Sequence, residues 1–331
     1  MLRANEFSIL NEFSSMGRPR RRGEEARLLY KLAQAYYEDG TTQEGIARRF
    51  RLSRPKVSRL LKQAREMGLV HISVQRPEGA CPDLERELEN RFELDEAVLA
   101  PRDRAPILER VGAAAASYFV RTVQPSDVVG LSWGTSLRAF ADHLPRLDLP
   151  RLTVVQLLGG LGSLELGVNG AELTRRVAER CGGKPRIIQA PGVVATRAVK
   201  AALLADPQVA LALELARRAD VAVVGIGVPR PSSELFGPEG LLTRKELEAL
   251  LGRNAIADVC LHYLDARGRP VETDLDGRVL GIERAELLAI PRRVGVAGGP
   301  EKVQAIRGAV TGRIVNVLVT DEDTARALLE G

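Results

Sequence analysis

The stretch "VVGLSWGTSLRAF", residues 128–140, passes from an apolar run through a glycine turn into residues with helical spacing. This order is typical of a strand that leads directly into a helix. The first backbone N–H groups of a helix have no intrahelical acceptor, and its dipole favours negative charge there. The turn therefore predicts an anion site formed by Gly134, Thr135 and Ser136, with Arg138 one turn further on as a phosphate contact or a surface ion pair.

Strand-like runs of the same kind recur after residue 94 and alternate with helical segments. They are rich in Val and Ile and bounded by Gly, which is typical of buried parallel strands. We therefore predict an α/β body with a largely parallel sheet. The other runs are "AVLA" (97–100), "TVVQLL" (153–158), "RIIQA" (186–190), "DVAVVGIG" (220–227), "RRVGVA" (292–297) and "IVNVLVT" (314–320).

Three further strands end in glycine turns, and loops of this kind gather at the carboxyl ends of parallel strands, where ligands bind. Any one of these turns is explained equally well by the need for a tight connection. The four turns together, with two hydroxyls and a lysine, predict a pocket for a phosphorylated small molecule. The residues concerned are Gly159, Gly160, Gly225, Gly227, Gly298, Gly299 and Lys302, the last placed in the first turn of a helix.

Two carboxylates are candidate acceptors for sugar hydroxyls in this pocket, namely Asp258 in "IADVC" and Asp276 in "DLDG". Each has an equally good explanation as a loop cap. General acid–base catalysis would need such a group beside a partner. Asp258, Asp276, His143 and His262 form no constellation of this type in the sequence, so we predict no catalytic residues.

The N-terminal part of the chain is strongly basic. Residues 17–76 contain fifteen Lys and Arg against six Asp and Glu, whereas the whole chain carries a net charge of only +5. A basic segment on a mildly acidic body indicates a polyanionic partner for that segment alone. Helical spacing over 24–38 ends at Gly40, and two further helices follow, with Thr42 and Ser53 as their expected caps.

The second and third of these helices have the spacing of a helix-turn-helix. Their expected shared core is Ile46, Ala47, Phe50, Leu52, Val57 and Leu60. Arg51 stands where the turn usually has Gly, so it must adopt positive φ if the geometry is kept. The alternative is a basic helix pair packed for stability alone. The predicted contacts to double-stranded operator DNA are Thr42, Gln43, Ser53, Arg54, Pro55, Lys56, Ser58, Arg59 and Lys62.

Four segments follow from these patterns. Residues 1–22 are an arm or extension expected to be disordered, although Arg18 and Arg20–Arg22 could form a minor-groove arm. Residues 23–76 are a winged helix-turn-helix domain whose wing begins with the alternating strand pattern at 69–74. The Pro/Gly-rich break at 75–82 opens a linker and connecting helix, 77–93. Residues 94–331 form the effector-binding domain.

Three widely spaced cysteines, Cys81, Cys181 and Cys260, fit neither a disulfide framework nor a zinc site. No metal and no cofactor are therefore expected, and a reducing cytoplasm is the expected compartment. No apolar run reaches the roughly 18 residues of a membrane span, and no signal-peptide pattern opens the chain.

Several motifs, in order, resemble the SorC family of sugar-binding transcriptional regulators. They are "IARRFRLSRPKVSRLLKQAREMGLV" (46–70), "GLSWGTSL" (130–137), "LLGGLG" (157–162), "ARRADVAVVGIG" (216–227) and "IPRRVGVAGGPEKVQAIRGAVTGRIVNVLVTDE" (290–322). The resemblance implies a winged helix-turn-helix joined to a Rossmann-like effector domain akin to sugar-phosphate isomerases and deaminases. It also implies a homodimer or homotetramer whose oligomeric state or DNA affinity responds to a phosphorylated sugar.

Carried over by motif, the phosphate contacts fall on the "GTS" and "GGPEK" loops, and the sugar lies near Asp258 and Asp276. Ser136 replaces a more usual threonine and keeps the hydroxyl, whereas Asp276 stands where asparagine is common, which leaves the effector open. The expected function is a sequence-specific transcriptional regulator. It is expected to be a repressor that its effector releases from DNA. The alternatives are a sugar-phosphate isomerase or deaminase with a DNA-tethering head, and a constitutive nucleoid protein with a vestigial pocket.

Overall fold

The computed structural model describes residues 18–71, 81–160, 169–230, 235 and 242–330. The chain divides into two compact units, Met1–Arg76 and Pro77–Gly331. Each unit has its own apolar core, and each is described by itself below.

The first unit contains three helices, α1 (Arg18–Tyr37), α2 (Gln43–Phe50) and α3 (Arg54–Glu66). Because α1 begins at Arg18, residues 18–22 are helical and do not belong to the disordered arm predicted for them. The wing strand predicted at 69–74 lies partly outside the described residues. Its first three residues, 69–71, are not in a strand.

The core of the first unit is the one predicted from sequence. Ile46 and Val57 are fully buried, and Ala47 lies between the helices with 8% of its surface exposed. Phe50, Leu52 and Leu60 pack against this cluster from its edge, which confirms the predicted set. Leu32 and Ala35 of α1 belong to the same cluster, so α1 packs against both α2 and α3.

The caps of α2 and α3 differ. The hydroxyl of Thr42 accepts a hydrogen bond from the amide of Gly45 at 3.1 Å, as predicted. Ser53 stands at the N-cap of α3, as predicted, but its side chain accepts no capping hydrogen bond. Arg51 closes α2 with φ 53°, and therefore this non-glycine residue does adopt the left-handed conformation that the turn requires.

The second unit is built on a seven-stranded sheet with the order β1-β9-β8-β5-β2-β3-β4, and all its pairings are parallel. The strands are β1 (Glu96–Ala100), β2 (Val128–Leu131), β3 (Thr153–Gln156), β4 (Lys184–Arg186), β5 (Val221–Gly225), β8 (Arg292–Val296) and β9 (Val317–Asp321), with a separate antiparallel hairpin β6 (Ala257–Val259) and β7 (His262–Leu264). The parallel sheet confirms the predicted α/β class.

Helices connect these strands, and apolar residues pack on both faces of the sheet. The helices are α4 (Pro82–Phe92), α5 (Ile107–Thr122), α6 (Thr135–His143), α7 (Gly170–Cys181), α8 (Arg197–Leu204), α9 (Pro207–Arg217), α10 (Arg244–Leu251), α11 (Arg284–Ala289), α12 (Val303–Thr311) and α13 (Glu322–Glu330). Within the described ranges, none of them is long and apolar enough to cross a membrane.

One strand is displaced from its prediction, and one hairpin was not foreseen. The run "RIIQA" at 186–190 begins with the last residue of β4, and residues 187–190 are not in a strand. The amide of Ile188 donates to the side-chain Oε1 of Gln156 at 3.1 Å and not to a strand carbonyl. The hairpin turns through Cys260 and Leu261, whose φ values are 55° and 62°. Two-residue turns of this kind usually contain Asn and Gly, so the sequence carries no signal for it.

Helix α4 belongs to the second unit and is not only a connector. Leu88 is fully buried in the main core of that unit. Two of its glutamates accept hydrogen bonds from the edge strand β1, Glu85 from the amide of Leu99 and Glu89 from the amide of Ala97, both at 3.0 Å. These side chains satisfy amides that would otherwise be open along the edge of the sheet.

Candidate functional site

A cavity of about 230 Å³ lies at the carboxyl ends of β2 and β5. These strands are neighbours, but the chain runs from β2 to β3 on one side and from β5 towards β8 on the other. Ligands of open α/β sheets bind at such a reversal of strand order. The volume is below the roughly 300–1,000 Å³ of pockets for drug-sized ligands, which indicates a small ligand.

The structure brings seven of the predicted effector residues together around this cavity, which we call the strand-end cavity. They are Gly134, Thr135, Ser136, Gly225, Gly227, Asp258 and Lys302. The wall also contains Arg230, Ser132 and Cys260, which the sequence analysis did not select. Arg230 follows the glycine turn after β5, so its position in the sequence was a usable signal.

The N-terminus of α6 forms one side of the cavity. Gly134 is its N-cap, with φ 115° and ψ 170°, a conformation that L-residues with side chains rarely adopt. This turn directs the first residues of the helix, Thr135 and Ser136, to the cavity wall. Their amides precede the first intrahelical hydrogen bonds, so they remain donors for an anionic ligand.

Lys302 lies in a 3₁₀ turn, Pro300–Lys302, that precedes α12, and not in the first turn of the α-helix as predicted. Burial lowers the pKa of Lys302, Arg230 lowers it further, and Glu301 opposes the change. Among the described residues the ammonium group makes no ion pair within 4.0 Å. A half-buried cation without a counterion is unfavourable, and an anionic ligand would supply that counterion.

Asp258 forms another wall, and it acts as both a turn cap and a cavity residue. Its backbone exchanges two hydrogen bonds with Gly227, at 2.8 and 3.0 Å, which join the hairpin to the loop after β5. Its Oδ1 accepts the amide of Leu261 at 2.8 Å. Burial raises the pKa of Asp258 to about 7, and the bond from Leu261 opposes that rise.

Gly298 and Gly299 do not line the cavity but fix the loop that carries Lys302. The amide of Gly299 donates to Oδ2 of Asp321 and to Oγ1 of Thr324, both at 2.9 Å. A Cβ on Gly298 would lie 2.5 Å from Oδ2 of Asp321. These two glycines therefore have a structural role, and their direct contact to phosphate stays a prediction.

The remaining predicted residues lie elsewhere. The amides of Gly159 and Gly160 bond to the carbonyls of Leu280 and Ala190, so these glycines serve close packing of the backbone. Arg138 does not line the strand-end cavity. Asp276 lies in the wall of a second cavity, and its Oδ2 caps the amide of Thr273 at 2.6 Å. The nearby residues 161–168, 231–234 and 236–241 lie outside the described residues.

In the first unit, most of the predicted DNA contacts lie on the exposed side of α3, namely Arg54, Pro55, Lys56, Ser58, Arg59 and Lys62. Ser53 precedes that helix, and Thr42 and Gln43 lie at the start of α2. Arg54, Lys56 and Arg59 are exposed, and in the described part of the chain none of them has a carboxylate partner within 4.0 Å. Lys62 differs, because its Nζ lies 3.7 Å from Glu66 of the same helix. The side of α3 that begins with Arg54 therefore carries three uncompensated positive charges.

No cluster of three or more His, Cys, Asp or Glu side chains that could hold a metal occurs in the ranges that the structure describes. The four candidate acid–base groups do not meet at one site, since Asp258 is the one of the four that lines the strand-end cavity. His143 lies 3.6 Å from Glu109 on the helical layer, and His262 and Asp276 line the second cavity.

Comparison with known proteins agrees with this architecture. Residues 76–330 match the family model for the sugar-binding domain, Sugar-bind. The chain is 34% identical to the deoxyribonucleoside regulator of Bacillus subtilis, over 92% of this chain and 98% of that protein. It is 32% identical to the sorbitol operon regulator of Klebsiella pneumoniae, over 93% and 99% of the two chains.

Solved structures give the same result. The full-length sorbitol operon regulator SorC from Klebsiella pneumoniae superposes with a TM-score of 0.71, at 32% identity, and covers 92% of this chain and 98% of that chain. The sugar-binding domain of a transcriptional repressor from Vibrio fischeri has a TM-score of 0.69 at 28% identity, over 76% of this chain and 98% of that chain. The chain therefore belongs to the SorC family of sugar-binding transcriptional regulators.

Proposed function

We propose that the chain is a transcriptional repressor that binds operator DNA through α2 and α3 as a winged helix-turn-helix and is released by a phosphorylated sugar in the strand-end cavity. The protein works as a homodimer or homotetramer. Its recognition helices must then enter successive major grooves about one helical turn, or a multiple of it, apart. A ligand that changes this spacing lowers the affinity for the operator.

The observation that supports the ligand class is the set of donors that line the cavity. They are the open amides of Thr135 and Ser136 and the cations Lys302 and Arg230. A phosphate group satisfies all of them, because it supplies negative charge and several acceptor oxygens. Asp258 also lines the cavity, and its carboxyl group hydrogen-bonds to the hydroxyls of the sugar.

The DNA-binding role rests on the exposed cations of α3. Arg54 and Arg59 stand on the exposed side of a helix whose other side is held by Val57 and Leu61 in the core. This places charged side chains outward from a rigid support, as base and phosphate recognition requires.

An enzymatic function has one observation in its favour, the pKa of about 7 for Asp258. A group with such a pKa suits general acid–base catalysis at neutral pH. Asp258 has no histidine or second carboxylate beside it among the described residues of the cavity wall. We therefore assign it to ligand recognition.

The test combines an operator selected from random duplex DNA with a panel of pentose and hexose monophosphates and the corresponding free sugars. Fluorescence anisotropy measures operator binding, and a thermal shift measures ligand binding. We expect one sugar phosphate, and not its free sugar, to raise the melting temperature and release the operator. Failure of every phosphate to change either signal would contradict the proposal.

Turnover is measured on the same panel by the loss of each phosphate under saturating protein. We expect none. Conversion of a sugar phosphate that is lost in the Asp258→Asn variant would show that the protein is an enzyme.

A further inference from the structure

A second cavity, of about 160 Å³, is lined in part by the β6–β7 hairpin. The hairpin gives Asp258 and Cys260 to the strand-end cavity, and Leu261, His262 and Tyr263 to the second one. The hairpin therefore contributes residues to both cavities.

The charges around the second cavity are unlike those of the strand-end cavity. Two cations, Lys200 and Arg284, face three carboxylates, Glu272, Asp276 and Glu283. Lys200 is already engaged, because its Nζ lies 2.9 Å from Glu283 and 3.3 Å from the carbonyl oxygen of Asp276. An excess of negative charge opposes a phosphate, whereas the guanidinium of Arg284 opposes a cationic ligand.

Neutral hydrogen-bonding groups line the same cavity. Nε2 of His262 lies 3.0 Å from the carbonyl oxygen of Ile282, so Nε2 carries the proton and Nδ1 is left as an acceptor. The hydroxyl of Tyr263 and Nε of Arg284 are buried without a hydrogen-bond partner in the described part of the chain. Unpaired buried donors are rare in folded proteins, and a water molecule or the hydroxyl of a ligand would satisfy these two.

From these groups we infer that the second cavity binds an uncharged polyol, separately from the phosphorylated ligand. A hydroxyl group both donates and accepts, so a polyol can satisfy the acceptors His262 and Asp276 and the donors Tyr263 and Arg284 together. The two sites then discriminate by charge, one for a phosphorylated molecule and one for an unphosphorylated molecule.

Isothermal titration of the full chain with xylitol and with glucitol tests this inference. Binding should persist when a saturating sugar phosphate is present, because the sites are distinct. Tyr263→Phe removes one hydroxyl and should weaken polyol binding at least about fivefold. Val279→Ile adds one methyl group to the cavity wall and should weaken it further.

Lys302→Met is the matched control, since it alters only the strand-end cavity and should leave polyol binding unchanged. The inference is overturned if neither polyol binds, or if Tyr263→Phe and Val279→Ile both bind polyol like the parent chain. It is also overturned if sugar phosphate competes with the polyol or if Lys302→Met abolishes polyol binding, because the polyol would then occupy the strand-end cavity. A failure of the sugar phosphates to bind would contradict the proposed effector and leave the polyol result readable.

Discussion

The amide of Gly299 donates a hydrogen bond of 2.9 Å to the carboxylate of Asp321, a residue with 1% of its surface exposed. The same carboxylate accepts the amide of Thr324 at 3.0 Å and its hydroxyl at 2.6 Å. Three donors therefore compensate one buried charge without a cation. This network fixes the loop three residues before Lys302, although Asp321 does not line the cavity.

Replacing Asp321 by Ala should weaken sugar-phosphate binding by about tenfold and lower the free energy of unfolding by about 1–3 kcal/mol, because buried amides lose their acceptor. Titration calorimetry and urea denaturation measure the two effects. Asp220→Ala is the matched control, since Asp220 caps the amide of Val128 at 2.8 Å at the opposite end of the sheet. It should reduce stability and leave ligand affinity intact. Equal affinity losses in both variants would contradict a positioning role for Asp321.

Lys302→Met should reduce the affinity for the sugar phosphate by about 10–100-fold, because a charge-assisted hydrogen bond contributes about 1.5–3 kcal/mol. The fold should not suffer, since burial already disfavours the charged form of this lysine and methionine fills a similar volume. Operator binding without ligand should be unchanged. Lys245→Met, on the exposed surface of α10, controls for the loss of one positive charge. Effector titration that is the same in both variants would show that Lys302 does not contact the ligand.

The pKa of Asp258 predicts a dependence of stability on pH. Its folded value of about 7 exceeds the model-peptide value of 3.8, so the native state binds the proton more tightly than the unfolded state. This contribution is fully present below pH 3.8 and is lost as pH rises through 7, with an upper magnitude of roughly 3–5 kcal/mol. Asparagine cannot titrate but can still accept the amide of Leu261.

The difference in unfolding free energy between the parent chain and Asp258→Asn should therefore grow in favour of the parent chain from pH 8 to pH 5. Urea denaturation at the two values measures it, and the titration of other groups cancels in the difference. A difference that stays constant with pH would mean that Asp258 is ionised in the folded protein.

A prediction from sequence succeeds where neighbouring residues decide the structure and fails where residues distant in the chain decide it. The turn at Gly134 and the positive φ of Arg51 are predicted correctly, because neighbouring residues decide a turn and a helix end. Gly299 was assigned to phosphate because its true acceptor, Asp321, lies 22 residues away, and no local pattern reveals that pairing.

Asp258 and Asp276 show the same limit within one segment. Both are candidate loop caps in the sequence, which predicts both beside one ligand. Asp258 instead lies in β6 and lines the strand-end cavity, whereas Asp276 lines the second cavity. The turn residues of the β6–β7 hairpin, Cys260 and Leu261, have positive φ without the Asn or Gly that usually marks such a turn. The sheet was predictable from the Val-rich strands, whereas the division of the wall into two cavities depended on this turn.

The DNA contacts on α3 predict two different responses to substitution. Arg54→Ala and Arg59→Ala should each lower the preference for the selected operator over a scrambled duplex, by about 1–3 kcal/mol, because arginine reads base edges. Lys62→Ala should weaken binding to both duplexes alike and reduce the slope against log salt by about one, or less because Glu66 already partly neutralises Lys62. Anisotropy at several salt concentrations separates the two responses. If all three variants changed the operator preference equally, the proposed orientation of α3 would be wrong.

Arg51 offers a test of the turn between α2 and α3. A side chain in the left-handed conformation costs about 1–2 kcal/mol, whereas glycine adopts it freely at some cost in chain entropy. Arg51→Gly should therefore stabilise the first unit by up to about 1 kcal/mol, seen as slower amide hydrogen exchange in α2 and α3. Glu93→Gly is the matched control, since Glu93 ends α4 with the same φ of 53° and should slow exchange only in the second unit. Faster exchange in Arg51→Gly would mean that the side chain of Arg51 contributes contacts worth more than the strain of its backbone.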